Sequence, residues 1–193
     1  WKHRRQRQMC IRDSNKVGYV VEIDPLNPNS TPKKHTALGR FKHENAELVI
    51  SKDGRIVVYM GDDERGEYLY KYVSNESMNE VKDKGTLLSN GNLYVAKFND
   101  NFTGEWLLLD TQTTGLSSKA EVCIFTRLAA SKVGATTMDR PEWIASNPKK
   151  NEVCCCLTNN KNRGIKTNKG GDKVDVDKAV SYTHLRAHET HPN

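Results

Sequence analysis

The chain has 193 residues, 30 Lys and Arg against 24 Asp and Glu, a formal net charge of +6 and 36% hydrophobic residues. That length suits one ordinary domain with a lean core, and the absence of an eighteen-residue apolar run excludes a membrane-spanning helix. Residues 1–14 carry +4 of the charge and residues 15–179 only +2, so the nucleic-acid binding that the raw charge suggests loses its support in the body of the chain.

The first segment in chain order, residues 1–14 (WKHRRQRQMCIRDS), and the last, residues 180–193 (VSYTHLRAHETHPN), both resemble translated sequencing-adaptor read-through. They are set aside from the fold as non-native, because appended sequence says nothing about how the body folds. A basic nucleic-acid arm and a His-rich metal tract are the competing readings of these ends. With the ends set aside, the chain is a gene fragment whose export signal, if any, lies outside it.

Between the ends, residues 15–165 read as one domain of short strands. Residues 18–23 form a strand candidate, and the Pro/Asn-rich run 24–32 is a loop. Residues 46–51 and 55–60 are β-rich and joined by Lys52-Asp53-Gly54, a hairpin signal because Asp-Gly supplies the positive φ of a tight turn. Residues 67–74 alternate with period two, placing Tyr68, Tyr70 and Tyr72 on one face and Leu69, Lys71 and Val73 on the other. Strands are expected again at 92–98 and 105–109. Residues 121–132 place Val122, Phe125, Leu128 and Ala129 at helical spacing, which predicts one short helix. Residues 143–146 and 152–158 flank Asn147-Pro148-Lys149-Lys150-Asn151 as a second hairpin. Residues 166–179 are polar and Gly/Lys-rich, a loop or disordered run. Many short strands separated by turn residues indicate an all-β architecture; sandwich, barrel and propeller all fit.

The cysteines carry little chemistry. Cys154, Cys155 and Cys156 are consecutive, so in a strand they point alternately to opposite faces, and no CxxC pair suggests zinc. Together with Cys123 they read as small apolar side chains.

Four polar clusters sit at strand boundaries, where loops carry function on a rigid sheet. They are residues 39–45 (GRFKHEN), 61–65 (GDDER), 139–143 (DRPEW) and 158–160 (TNN). The first hairpin returns the chain antiparallel, so Glu44 and Asp63 lie at the same end. The second hairpin does the same for Glu142 and Asn159/Asn160. Converging carboxylates need a cation or a shared proton, and hard oxygen ligands suit Ca²⁺, Mg²⁺, Mn²⁺ or Fe³⁺. The bland alternatives stay open: GDDER as a solvated turn, and Arg140 simply pairing with Glu142. No GxSxG, P-loop or GxGxxG motif is present.

The blocks GYVVEIDPLNPNSTPKKHTALGRFKHENA, VYMGDDERGEYLYKYVS, LYVAKFND, RLAASKVGATTMDRPEW and LTNN occur in this order between about residues 17 and 164. Together they strongly resemble the PhoX-type alkaline phosphatases. The resemblance implies an all-β fold, part of a six-bladed β-propeller, and an exported phosphomonoesterase that uses calcium together with ferric iron. It implies Glu44, Asp62, Asp63 and Glu142 as metal ligands and Arg140 as the phosphate-binding residue, with Asn159 and Asn160 near the site. It further implies small phosphate esters as substrates, no nucleic-acid partner, a periplasmic or secreted location and a monomeric intact protein. The sequence departs from the family pattern in two respects. The family takes a cysteine and an acidic ligand from an upstream blade and a carboxylate from a downstream one, and neither region is present here. Cys154 also stands where the family usually has an aromatic residue. The 193-residue chain alone is therefore expected to be inactive. A calcium-stabilised propeller with a binding or structural role, and a phosphodiesterase or phytase-like enzyme, are the alternative readings.

Overall fold

A computed structural model describes residues 15–160 and, as backbone, residues 184–188. Residues 1–14, with Cys10, the polar run 166–179, and the rest of the last segment lie outside the described residues.

The strands are β1 (Val20–Glu22), β2 (Lys33–His35), β3 (Glu47–Ile50), β4 (Arg55–Gly61), β5 (Arg65–Glu67), β6 (Leu69–Ser77), β7 (Gly91–Phe98), β8 (Gly104–Leu108), β9 (Met138–Asp139), β10 (Pro141–Ser146), β11 (Glu152–Leu157) and β12 (His184–His188). Strands β3-β4-β6-β7-β8 form a five-stranded antiparallel sheet, and β10-β11-β12 a three-stranded one. β12 belongs to the end segment with the adaptor-like sequence. Two small pairs, β1-β2 and β5-β9, complete the set.

The β3–β4 hairpin forms where the Asp-Gly signal places it. Gly54 has φ +81°, and a Cβ there would lie 2.4 Å from Ser77 Oγ. Its N–H donates to Ser51 O at 2.9 Å. Only glycine meets both demands cheaply.

The large sheet is buried on both faces. Ile56, Val58, Met60 and the three tyrosines Tyr68, Tyr70 and Tyr72 belong to one apolar cluster, closed by helical residues Val122, Ala129 and Ala130. Val57, Tyr59 and Leu69 face a second cluster with Ile144, Val153, Cys155 and Leu157 of the β10–β11 hairpin. The tyrosine face read from the sequence is thus present. The opposite face is also covered, and Lys71 there lies over Trp106 at 4.7 Å and Tyr94 at 5.4 Å. Two antiparallel sheets pack face to face, with helices against the far face of the larger one, a layered arrangement dominated by strands as expected.

The single expected helix is a correction. Three short helices occur: α1 (Thr111–Thr114), α2 (Lys119–Ile124) and α3 (Thr126–Lys132). The helical run breaks at Phe125, with φ −104° and ψ 44°. The break has a cause in hydrogen bonding. Thr126 Oγ1 donates to Cys123 O at 2.8 Å, and Arg40 Nε donates to Ile124 O at 2.9 Å. The carbonyls that would continue the ladder are therefore taken by side chains. Phe125, expected on the apolar face, is 43% exposed. Of the cysteines, Cys123 and Cys155 are buried as expected, Cys154 is half-buried and Cys156 exposed. Burial pushes the Cys155 thiol up to about 12, so it stays an unreactive thiol at neutral pH.

Candidate active site

Three strand ends meet at one edge of the two sheets. β4 ends at Gly61, β9 runs into β10 through Arg140, and β11 ends at Leu157. Gly61 makes the meeting possible: a Cβ there would lie 2.4 Å from Pro141 O and 2.6 Å from Glu142 O. β9 is held by its pairing with β5, with Arg65 opposite Asp139. Thr158 N–H donates to Asp139 O at 3.0 Å, which fastens the end of β11 to the same point.

Asp63, Arg140 and Glu142 converge there. Arg140 Nη2 lies 2.8 Å from Asp63 Oδ1 and 3.0 Å from Glu142 Oε1. It donates a hydrogen bond to Asp63 Oδ2 at 3.1 Å, while Oδ1, close but off the N–H direction, is buried with no hydrogen-bond partner among the described residues. Thr158 Oγ1 donates to Glu142 Oε1 at 2.9 Å. The Asp63 hydrogen bond, with Glu142 and Glu64 nearby, raises the Arg140 pKa further above its ordinary value. The three side chains are each about a quarter exposed, so the cluster is open to solute. Among the described residues Arg140 engages both carboxylates through Nη2, and the donors on Nε and Nη1 remain for a ligand.

Arg140 has φ +54°. A long side chain in the left-handed region, followed by proline, is strained by about 1–3 kcal/mol. The surrounding β5–β9 pair and the Thr158 bond over-determine that conformation.

The other expected ligands are placed differently. Asp62 is fully buried and engages a different arginine from Asp63. Arg127 of α3 grips it through Nε–Oδ2 and Nη2–Oδ1, each 2.6 Å. Burial pushes the Asp62 carboxyl up from its ordinary value, and the Arg127 bonds oppose this. Arg127 keeps its proton, so a full positive charge faces the buried Asp62 carboxyl at 2.6 Å. The Asp62 carboxylate is thus spent on Arg127 and is not part of the open cluster. Glu44 is exposed. It follows His43, which forms an antiparallel bridge with Asp62, and precedes Asn45, whose side chain bonds Ile144 O at 2.7 Å. Its backbone therefore stands between the Asp62 and β10 segments, at the same end as the cluster. Asn159 is exposed and Asn160 half-buried; both follow Thr158 at this end. His43 stacks on Phe41 at 3.8 Å, and burial pushes its imidazole down to about 4.

Sequence reasoning missed two residues. Thr158 stood in a cluster that drew attention to its asparagines, although its hydroxyl is what reaches Glu142. Arg127 is 65 residues from Asp62 and carries no local signal.

The donor chemistry fits a hard cation in part. Asp63 and Glu142 offer carboxylates, Asp63 Oδ1 is buried with an ion-pair contact but no hydrogen bond among the described residues, and two carboxylates against one guanidinium leave a net negative cluster. Among the described residues no group of three His, Cys, Asp or Glu side chains is gathered closely enough to hold a metal by itself.

The family model of alkaline phosphatase PhoX matches residues 3–190. The chain belongs to the PhoX family. It is similar to a solved structure, "Pseudomonas fluorescens PhoX in complex with vanadate, a transition state analogue", with 50% identity and a TM-score of 0.74, over 81% of this chain and 30% of that one. The chain thus spans under a third of the length of that PhoX protein. No curated protein matches it. The PhoX family is metal-dependent, and its propeller-like fold accords with the antiparallel sheets here. Among the described residues no helix is long and apolar enough to cross a membrane.

Proposed function

We propose that the whole protein is an exported, periplasmic or secreted phosphomonoesterase that releases inorganic phosphate from small phosphate esters, with calcium and ferric iron as its metals. The observation that carries this reading is Arg140, held in a strained backbone between two carboxylates with part of its donor fork unused. A structural salt bridge needs no such strain, whereas a phosphate clamp needs a fork with a fixed direction. The PhoX membership and the vanadate complex of the similar P. fluorescens protein support the same chemistry.

Asp63 and Glu142 would hold the cation side of the site, and Glu44 would approach it from the neighbouring segment. Bound metal supplies charge that neutralises a phosphate ester dianion and stabilises the leaving oxygen. Without added positive charge the Asp63–Arg140–Glu142 cluster repels a dianion. Arg140 orients the phosphate through its free donors. Thr158 fixes Glu142, and the Asp63 contact fixes Arg140. The fixed geometry matters because preorganised charge needs no rearrangement during reaction.

The test is made in the whole enzyme supplied with calcium and iron. Arg140→Ala is expected to lower p-nitrophenyl phosphate hydrolysis by roughly 10²–10³-fold while metal content by elemental analysis stays near normal. Glu142→Ala is expected to lower the metal content itself. Full activity in the first variant removes the clamp role, and unchanged metal in the second removes Glu142 from the ligands.

A further inference from the structure

We infer that Arg127 is a positioning residue for the open cluster, acting through its bidentate grip on Asp62; this rests on the metal-site reading above.

Asp62 and Asp63 are adjacent and engage different arginines, Arg127 and Arg140, so whatever fixes the first also positions the backbone that carries the second. Asp62 is fixed from several directions. Its N–H donates to Tyr68 O at 3.1 Å, and its carbonyl accepts from Glu64 N–H at 2.6 Å. Its Oδ1 accepts from Lys42 N–H at 3.2 Å, while the Asp63 N–H donates to Lys42 O at 2.9 Å. The two aspartates therefore clamp residue 42 from both sides, two positions before Glu44. Arg127 is the side chain that closes this arrangement.

The helical layer enters here. Arg127 sits on α3, whose start is fixed by Thr126: Arg40 N–H donates to Thr126 Oγ1 at 3.0 Å. Arg127 Nε also lies 3.7 Å from Glu67 Oε2, and Glu67 is the fully buried last residue of β5, paired with Met138 of β9. One guanidinium thus ties α3 to the segment that presents Asp63 and to the strand that carries β9 toward Arg140. Apolar side chains would stabilise such a place as well as an ion pair does. What the ion pair adds is direction, since a guanidinium fork donates to a carboxylate in one plane. Groups that orient ligating side chains typically change metal affinity when altered.

Terbium(III), a hard cation whose luminescence a neighbouring tryptophan sensitises, is the probe, titrated into the metal-stripped whole enzyme. The wild type is expected to bind saturably and Asp63→Asn to lose that binding. Arg127→Lys keeps the charge and loses the fork; its terbium affinity is expected to fall roughly 10-fold. Because Arg127→Lys can also lower stability, a second variant separates the effects. Asp62→Asn/Arg127→Met removes both charges together, which is expected to restore the melting temperature toward wild type and leave the affinity low. Wild-type affinity in either variant overturns the positioning role while the metal reading stands. A wild-type whole enzyme that binds no terbium, or binds it no better than Asp63→Asn, overturns the metal reading and the inference with it.

Discussion

Asp62 and Asp63 are sequence neighbours of one residue type, yet they serve two different clusters. The Asp62–Arg127 cluster is closed: the carboxylate is fully buried, its arginine is 18% exposed, and both carboxylate oxygens are bonded. The Asp63–Arg140–Glu142 cluster is open: its residues are each about a quarter exposed, one carboxylate oxygen has no hydrogen-bond partner among the described residues, and the arginine backbone is strained. Closed clusters are fully satisfied and hold geometry. Open, strained ones retain unused binding capacity, which is the usual condition of a functional site.

The largest expected contrast is in stability. Arg127→Met leaves Asp62 as a buried uncompensated carboxylate and is expected to cost about 3–5 kcal/mol, measured by urea unfolding. Arg140→Met exchanges only partly exposed contacts and is expected to cost about 1 kcal/mol or less. Equal losses would erase the distinction between the clusters. Next comes the seam that aligns them. Gly61→Ala pushes a methyl into the carbonyls of Pro141 and Glu142 and is expected to cost about 1–3 kcal/mol, with a terbium affinity lowered along with it. A variant with wild-type melting and wild-type affinity would show that the strand ends do not need that approach.

A smaller effect has the opposite sign. Arg140→Gly relieves the positive φ and is expected to raise stability by about 1 kcal/mol while phosphate ester hydrolysis in the whole enzyme is lost. A destabilised glycine variant would mean that the Arg140 contacts outweigh its strain. The smallest effect lies away from both clusters, at the hairpin turn. Hydrogen bonds from Ser51 and Arg55 pull the Asp53 carboxyl down to about 2 from its ordinary 3.8. A lowered folded pKa means that its stabilising contribution is present above pH 3.8 and is lost as the pH falls through about 2. A carboxyl ¹³C titration of Asp53 with a midpoint near its ordinary 3.8 would remove that contribution.

The legible features were local ones. Lys52-Asp53-Gly54 fixed its hairpin because three adjacent residues satisfy the turn. The tyrosine alternation of β6 was legible because strand period is a property of one segment. The strands β2, β5 and β9 were not foreseen; with two or three residues each, they exist only through partners that lie elsewhere in the sequence. The helix over 121–132 failed at Phe125 because Arg40 and Thr126 compete for its carbonyls, and Arg40 lies 84 residues from the one it takes. In the candidate site, the meeting of Glu142 with Asp63 was implied by the family resemblance alone, because each hairpin relates only the residues of its own two strands. The division of labour between Asp62 and Asp63 was not implied.

By itself, then, the sequence determined the strand-and-turn order, the residue types on which the proposed hard-cation and phosphate site rests, and the PhoX resemblance carried by five ordered blocks. Tertiary structure alone decided which of the two faces inward, because that depends on where α3 delivers Arg127. A buried carboxylate must be compensated and an exposed one need not be, so the arrival of that one guanidinium left Asp63 to Arg140 and to whatever the open cluster binds.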